Sequence, residues 1–153
     1  MALRRRYISF TKMESGGNDF IIIDNRKIIF SRGLSKLALN LCRRRRSIGA
    51  DGLILLERAR KADYGMRIFN PDGSEPEMCG NGARCLAMFA FINGIASSKV
   101  VMETRAGYVQ AQVKDKKVRV RLNTPFDIKT NFRIRLKLRG SQEVNFINVG
   151  VPH

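Results

Sequence analysis

The segment Asn70-Pro-Asp-Gly-Ser-Glu-Pro-Glu-Met-Cys-Gly-Asn-Gly-Ala-Arg-Cys85 holds the residues best suited to chemistry. Cys79 stands directly before Gly80-Asn81-Gly82, and an almost unbroken apolar run from Cys85 to Ile92 follows. That order puts a thiol at the start of a helix. The positive end of a helix dipole favours the thiolate, the basic and nucleophilic form of cysteine. Without side chains at positions 80 and 82, an anionic ligand can approach the free backbone N–H groups of the first turn, and Asn81 can add side-chain donors. A sulfur base and a carboxylate pocket are expected side by side. Most free cysteines are simply small buried hydrophobes, but glycines around a buried thiol would serve no packing purpose.

The other two cysteines read differently. Cys42 and Cys85 are expected on helix faces as packing residues, and the three cysteines cannot all pair with one another. Their spacings match no metal pattern and the only histidine is His153, so no metal site is expected. A second cluster, Gly16-Gly-Asn-Asp-Phe20, lies between two strand-like runs. A turn is its favoured reading over a binding role. It is not a phosphate loop, because no Gly-Lys-Ser or Gly-Lys-Thr follows.

The elements that must carry these residues are mostly strands. Ile, Val, Phe and Tyr-rich runs at Tyr7 to Met13, Phe20 to Asp24, Leu53 to Leu56, Gly65 to Phe69, Val100 to Thr104, Tyr108 to Val113 and Val118 to Leu122 predict them. Val118-Arg-Val-Arg-Leu122 alternates cleanly and predicts one buried face. Short links predict an antiparallel meander in the second half, continued by strands at Phe132 to Leu138 and Val144 to Val149. Leu34, Leu37, Ala38 and Leu41 fall on one helix face, with Ser31 as a cap shortly before, which predicts an amphipathic surface helix. A second helix is predicted from about Gly82 to Asn93, apolar all round and therefore buried on all sides, ending at Gly94. The simplest architecture is an α+β fold, a mostly antiparallel β roll or barrel wrapped around a central buried helix.

The 153 residues suit one domain, which should bury roughly 70% of its unfolded surface. Against 13 Asp and Glu the chain has 29 Lys and Arg, a formal charge of +16 that attracts anionic partners. The runs at Arg4 to Arg6, Arg43 to Arg46 and Arg133 to Arg139 read foremost as solvated faces. With no aromatic interleaving around Arg43 to Arg46, a nucleic-acid-binding module is the weaker alternative. Free cysteines without a secretory leader predict a cytoplasmic setting, and the longest apolar stretch is too short for a membrane span.

At this point the motifs suggest a family. Cys79-Gly-Asn-Gly-Ala-Arg-Cys85, preceded by Arg67-Ile-Phe-Asn-Pro-Asp-Gly-Ser-Glu75, closely resembles the active-site signature of diaminopimelate epimerases. Phe10-Thr-Lys-Met, Gly17-Asn-Asp-Phe20 and Gly49-Ala-Asp-Gly52 agree in order and spacing, so the matches cover most of residues 8–107. The resemblance implies two similar domains, each a β-rich barrel or roll around a central helix, with a dicarboxylate diamino acid held in the cleft between them. It implies interconversion of LL- and meso-diaminopimelate for lysine and cell-wall synthesis, without pyridoxal phosphate or another cofactor. Two cysteines would act on opposite faces of the α-carbon. Carried over residue by residue, Cys79 is one of them, Gly80 and Asn81 hold the α-carboxylate, and Asn18 and Asn70 contact the substrate.

Departures from the family pattern are Gly52, where many relatives have Gln, and Val151, where many have a substrate-binding Asn that Asn148 would have to replace. Residues 1–153 are then expected to be the amino-terminal catalytic domain, with 147–153 starting the connection to a carboxy-terminal half that carries the second cysteine. Inactivity of this chain alone is expected, and an uncovered surface would encourage a homodimer. A related racemase or isomerase acting on another substrate, such as the proline racemase or phenazine-biosynthesis relatives, is the alternative within the same scaffold.

Overall fold

The computed structural model describes residues 7–122, 124–137, 140–149, 152 and 153. Among these, the strands are β1 (Thr11–Ser15), β2 (Asn18–Asp24), β3 (Gly52–Glu57), β4 (Tyr64–Phe69), β5 (Lys99–Thr104), β6 (Gly107–Lys114), β7 (Lys117–Arg121), β8 (Phe126–Leu136) and β9 (Gly140–Asn148). Helix α1 (Leu34–Leu41) lies between β2 and β3, and α2 (Gly80–Ile92) lies between β4 and β5. β1 to β7 form one sheet in sequential order, and β8 pairs with β9 in a separate two-stranded sheet. The expected continuation of the meander through the last two strands is thus corrected. They pair with each other rather than adding to the edge of β7.

Two joints in the large sheet are parallel, β2 with β3 and β4 with β5, and the other neighbours are antiparallel. A parallel joint needs a crossover, and the two helices supply them. This explains the unbroken apolar runs Phe20 to Ile23 and Leu53 to Leu56. Because successive strand residues point to opposite faces, Phe20, Ile22, Ile54 and Leu56 enter the core shared with α2, whereas Ile21, Ile23, Leu53 and Leu55 enter a second core against α1. Strands covered on both faces have no polar side to show. β6 is different: Val109, Ala111 and Val113 are buried and their neighbours exposed, because only one face is covered.

The sheet curls around α2, which lies against β1 to β4 on one side and β6 and β7 on the other. The β roll around a central helix is as expected, but the helix is not sealed all round. Phe91 and Ile92 are 42% and 61% exposed at its end. Asn93 caps it and Gly94 follows in the left-handed conformation, φ 64°. α1 buries Leu34 and Ala38 against the sheet and leaves its other side open. Gly33, not Ser31, precedes its first turn, with no side-chain cap. Cys42 closes that helix rather than lying within it, and is buried. The first strand begins at Thr11; residues 7–10 before it are irregular. Among the described residues no helix is long and apolar enough to cross a membrane. Val151 lies outside the described residues, and Asn148 ends β9 opposite Phe126.

Candidate active site

The chain gathers its signature residues at one end of the large sheet. The β1–β2 hairpin turns there, with Ser15 opposite Asn18 and only Gly16 and Gly17 between them. Both glycines have positive φ, 61° and 85°, as a turn that follows the strand twist requires. β3 starts at this end with Gly52 beside Phe20, and β4 finishes there with Phe69 opposite Leu53, so Asn70 leaves the sheet at the same level. Gly82, in the first turn of α2, is packed so tightly onto β3 and β4 that a Cβ would lie 3.0 Å from Ile54 Cδ1 and 3.2 Å from Ile68 Cδ1. That contact fixes the helix start against the strand ends.

Cys79 is the N-cap of α2, in extended conformation, and its Sγ accepts a hydrogen bond from the Gly82 N–H at 3.4 Å. The Ala83 N–H bonds the Cys79 carbonyl at 2.8 Å. The N–H groups of Gly80 and Asn81 have no carbonyl one turn earlier to bond, as at any helix start. Beside Gly80 the nearest atoms to an added Cβ would be Leu122 Cδ2 at 3.7 Å and Arg84 Nη1 at 3.9 Å, ordinary contact distances. Cys79 and Gly80 are half-buried. Cys79 as a residue is therefore only partly covered, although it also packs against the core around α2. Cys42 and Cys85 are the opposite case: burial, reinforced by the nearby carboxylates Asp19 and Glu14 respectively, pushes each thiol up to about 11.

Asn18 and Asn81, 63 positions apart in sequence, meet across the hairpin and the helix, Asn81 Nδ2 donating to Asn18 Oδ1 at 2.7 Å. Asn18 Nδ2 donates in turn to Asp51 Oδ2 at 3.3 Å, and Arg84 donates from Nη2 to Asn81 Oδ1 and from Nε to Ser15 Oγ at 2.9 Å. Asn70 takes a different place. Its side chain donates to Ser74 Oγ at 2.9 Å, and its backbone closes the same turn with Gly73 and Ser74. The segment leading to Cys79 is anchored by Arg67, which holds Glu75 through two bonds of 2.7 and 2.9 Å, while Arg105 bonds the Glu75 carbonyl at 2.8 Å. Glu75 is consequently held below the usual carboxylate range by Arg67.

Reading the sequence missed the charge cluster behind Asn18. Arg44 Nη2 bridges Asp19 Oδ1 at 2.5 Å and Asp51 Oδ1 at 2.7 Å, and Lys12 Nζ lies 3.0 Å from Asp19 Oδ2 while donating to the Gly49 carbonyl at 2.6 Å. The Arg44 hydrogen bonds hold both carboxyls well below their ordinary value. Arg43 to Arg46 are all exposed, as expected of a solvated face, and Arg44 in addition binds both carboxylates from that exposed position. The available signal was that Lys12, Asp19 and Asp51 belong to three separate stretches of the family resemblance. Gly16 and Gly17 form the turn expected of this cluster, and Asn18 to Phe20 already open β2, which delivers Asn18 and Asp19 to this network. At Gly52 there is little space for a larger residue: a Cβ would sit 3.1 Å from the Phe69 carbonyl oxygen and 3.2 Å from Phe20 Cδ1.

Residues 10–125, the whole of the curled sheet and of the site, match the family model for diaminopimelate epimerase. The chain belongs to the diaminopimelate epimerase family. Diaminopimelate epimerases of Hydrogenobaculum sp. (strain Y04AAS1) and Aquifex aeolicus (strain VF5) are 43% and 39% identical to it, over 94% and 95% of this chain. The same alignments take in 55% and 56% of those relatives, so the chain spans about half the length of the curated epimerases it matches. Solved structures share the fold. A probable proline racemase from Agrobacterium radiobacter K84 superposes with a TM-score of 0.73 at 19% identity, over 95% of this chain and 50% of that one. A hydroxyproline epimerase from Agrobacterium vitis gives 0.73 at 18% identity, over 94% of this chain and 49% of that one.

Proposed function

We propose that this chain supplies one side of a diaminopimelate epimerase active site, with Cys79 as an acid/base thiol. The observation that carries the reading is the Cys79 sulfur at the cap of α2, on a half-buried residue and next to the unpaired N–H groups of Gly80 and Asn81. A proton α to a carboxylate is weakly acidic. Preorganised N–H donors around that carboxylate lower the cost of the negative charge that develops when the proton leaves. The Cys79 thiolate takes the α-proton and becomes S–H. A thiol on the opposite face then gives its proton to the carbanion, which inverts the centre without any change of oxidation state.

Gly80 and Asn81 hold the α-carboxylate, while Asn18 and Asn70 read polar groups elsewhere on the substrate. No described residue of this chain faces Cys79 with a second thiol, since Cys42 and Cys85 are buried. The opposing cysteine is assigned to a carboxy-terminal half, which fits the greater length of the relatives. The reaction is proposed to need no cofactor and to proceed in the cytoplasm, where free thiols persist.

The test is α-hydrogen exchange on diaminopimelate in deuterated water, followed by mass spectrometry. The chain is assayed alone and after mixing with the carboxy-terminal half of the Hydrogenobaculum relative. Exchange is expected only in the mixture and should disappear with Cys79→Ser. Undiminished exchange in the Ser variant would exclude the sulfur from the chemistry.

A further inference from the structure

We infer that Asp51 and Arg84 are positioning residues that fix which way the amides of Asn18 and Asn81 point, and so decide which hydrogen-bonding groups the site offers its ligand. The inference rests on the proposed substrate contact of Asn18 and on the side-chain donor that Asn81 can add beside its backbone N–H. Its basis is the order of one hydrogen-bonded chain: Arg84 donates to Asn81 Oδ1, Asn81 Nδ2 donates to Asn18 Oδ1, and Asn18 Nδ2 donates to Asp51 Oδ2. A guanidinium can only donate and an ionised carboxylate can only accept, whereas each amide between them could be turned either way round. With a pure donor at one end and a pure acceptor at the other, only one direction satisfies every link. Reversing either amide would set N–H against N–H or oxygen against oxygen.

The end groups are themselves held. Arg84 is tied to Ser15 Oγ by Nε at 2.9 Å. Asp51 accepts the Asp19 backbone N–H at 3.1 Å and the Arg44 guanidinium at 2.7 Å, and its own N–H bonds the Asp19 carbonyl at 2.8 Å. Each NH2 group has two protons and each link uses one, so Asn18 and Asn81 keep one N–H apiece for a ligand. The site therefore presents amide donors, suited to carboxylate oxygens, at both positions. Arg44 and the Asp19 backbone N–H hold the Asp51 carboxylate directly, and Lys12 acts one step further out through the Asp19 carboxylate.

The experiment reads the side-chain NH2 resonances of Asn18 and Asn81 in 15N-labelled full-length chain, assigned through Asn18→Ser and Asn81→Ser. In Asp51→Asn the acceptor-only end is lost. The Asn81 resonances are expected to move although Asn81 does not touch residue 51. Arg84→Met removes the other end, and the Asn18 resonances should move although Arg84 bonds only Asn81 and Ser15 among the described residues. The backbone spectrum identifies a variant that has failed to fold, and the other variant then carries the test. If a folded Asp51→Asn leaves Asn81 unmoved, or a folded Arg84→Met leaves Asn18 unmoved, the relay is wrong. Titration of wild-type chain with diaminopimelate is read separately: absence of any response there would count against the functional reading, while the wild-type-to-variant shifts still judge the relay.

Discussion

Replacing Gly16 or Gly17 with alanine separates backbone cost from contact cost within one turn. Both residues have positive φ, 61° and 85°, so an L side chain at either place costs about 1–2 kcal/mol. An alanine Cβ at Gly17 meets nothing within 4 Å, and the cost should stop there. At Gly16 the Cβ would lie 2.8 Å from Asn81 Oδ1 and 3.1 Å from both Asn81 Cγ and Nδ2, so the amide must move. Moving it breaks the bond to Asn18, worth about 1 kcal/mol, and adds crowding of about 1 kcal/mol. Gly16→Ala should therefore cost about 3–4 kcal/mol in all, on the combined principles of left-handed strain, lost hydrogen bonding and overpacking. Urea unfolding followed by circular dichroism measures both variants. In an Asn81→Ala background all three crowding atoms are gone, and the two glycine substitutions should then differ by less than about 0.5 kcal/mol. Equal costs in the wild-type background would refute the placement of Asn81 against the hairpin.

A thiol-specific aromatic disulfide at neutral pH should react promptly with one cysteine, Cys79, and with Cys42 and Cys85 only after denaturant is added; prompt labelling of all three would contradict the two buried thiols. Arg44→Gln should lower stability at pH 7 and make little difference in strong acid. Asp19 and Asp51 are held below their ordinary 3.8, so the stabilisation is complete above that value and is lost as pH falls through the depressed folded values. A stability gap between Arg44→Gln and wild type that stays constant from pH 7 to strong acid would disprove this origin. The Tyr64 hydroxyl is buried without a hydrogen-bond partner among the described residues. Tyr64→Phe should raise stability by about 1 kcal/mol, roughly 2–4 °C in Tm. A fall in Tm would mean that the hydroxyl is satisfied in solution.

Cys79 as a helix cap, the buried apolar helix and most strands were legible because each is written in adjacent residues. The glycines after the thiol, the run Cys85 to Ile92 and the alternation at Val118 to Leu122 act locally, although the face that alternation marks is only half-buried at Val118 and Val120 and exposed at Leu122. The parallel joints were not read, although the clue was present: each helix-like segment falls between two strands, and a crossover of that kind permits parallel neighbours. Runs such as Leu53 to Leu56 say that both faces are covered, but not by what. Arg44 was illegible for another reason. Within Arg43 to Arg46 it has no acidic neighbour in sequence, and its partners Asp19 and Asp51 arrive only when the hairpin and β3 are side by side. The breach in the casing of α2 at Phe91 and Ile92 lies at the helix end, where periodicity has no remaining turns to report it.

Sulfur is a poor choice for closing a helix, a task for which serine, threonine, aspartate and asparagine are preferred. At position 79 the sulfur receives the Gly82 N–H, and in the proposed mechanism the same atom must also exchange protons with a ligand. Serine there would secure the helix better and lose the chemistry, so selection for durability alone would steadily erase the activity. Persistence of cysteine at this spot in living lineages would thus record a requirement of metabolism set against the preference of the fold.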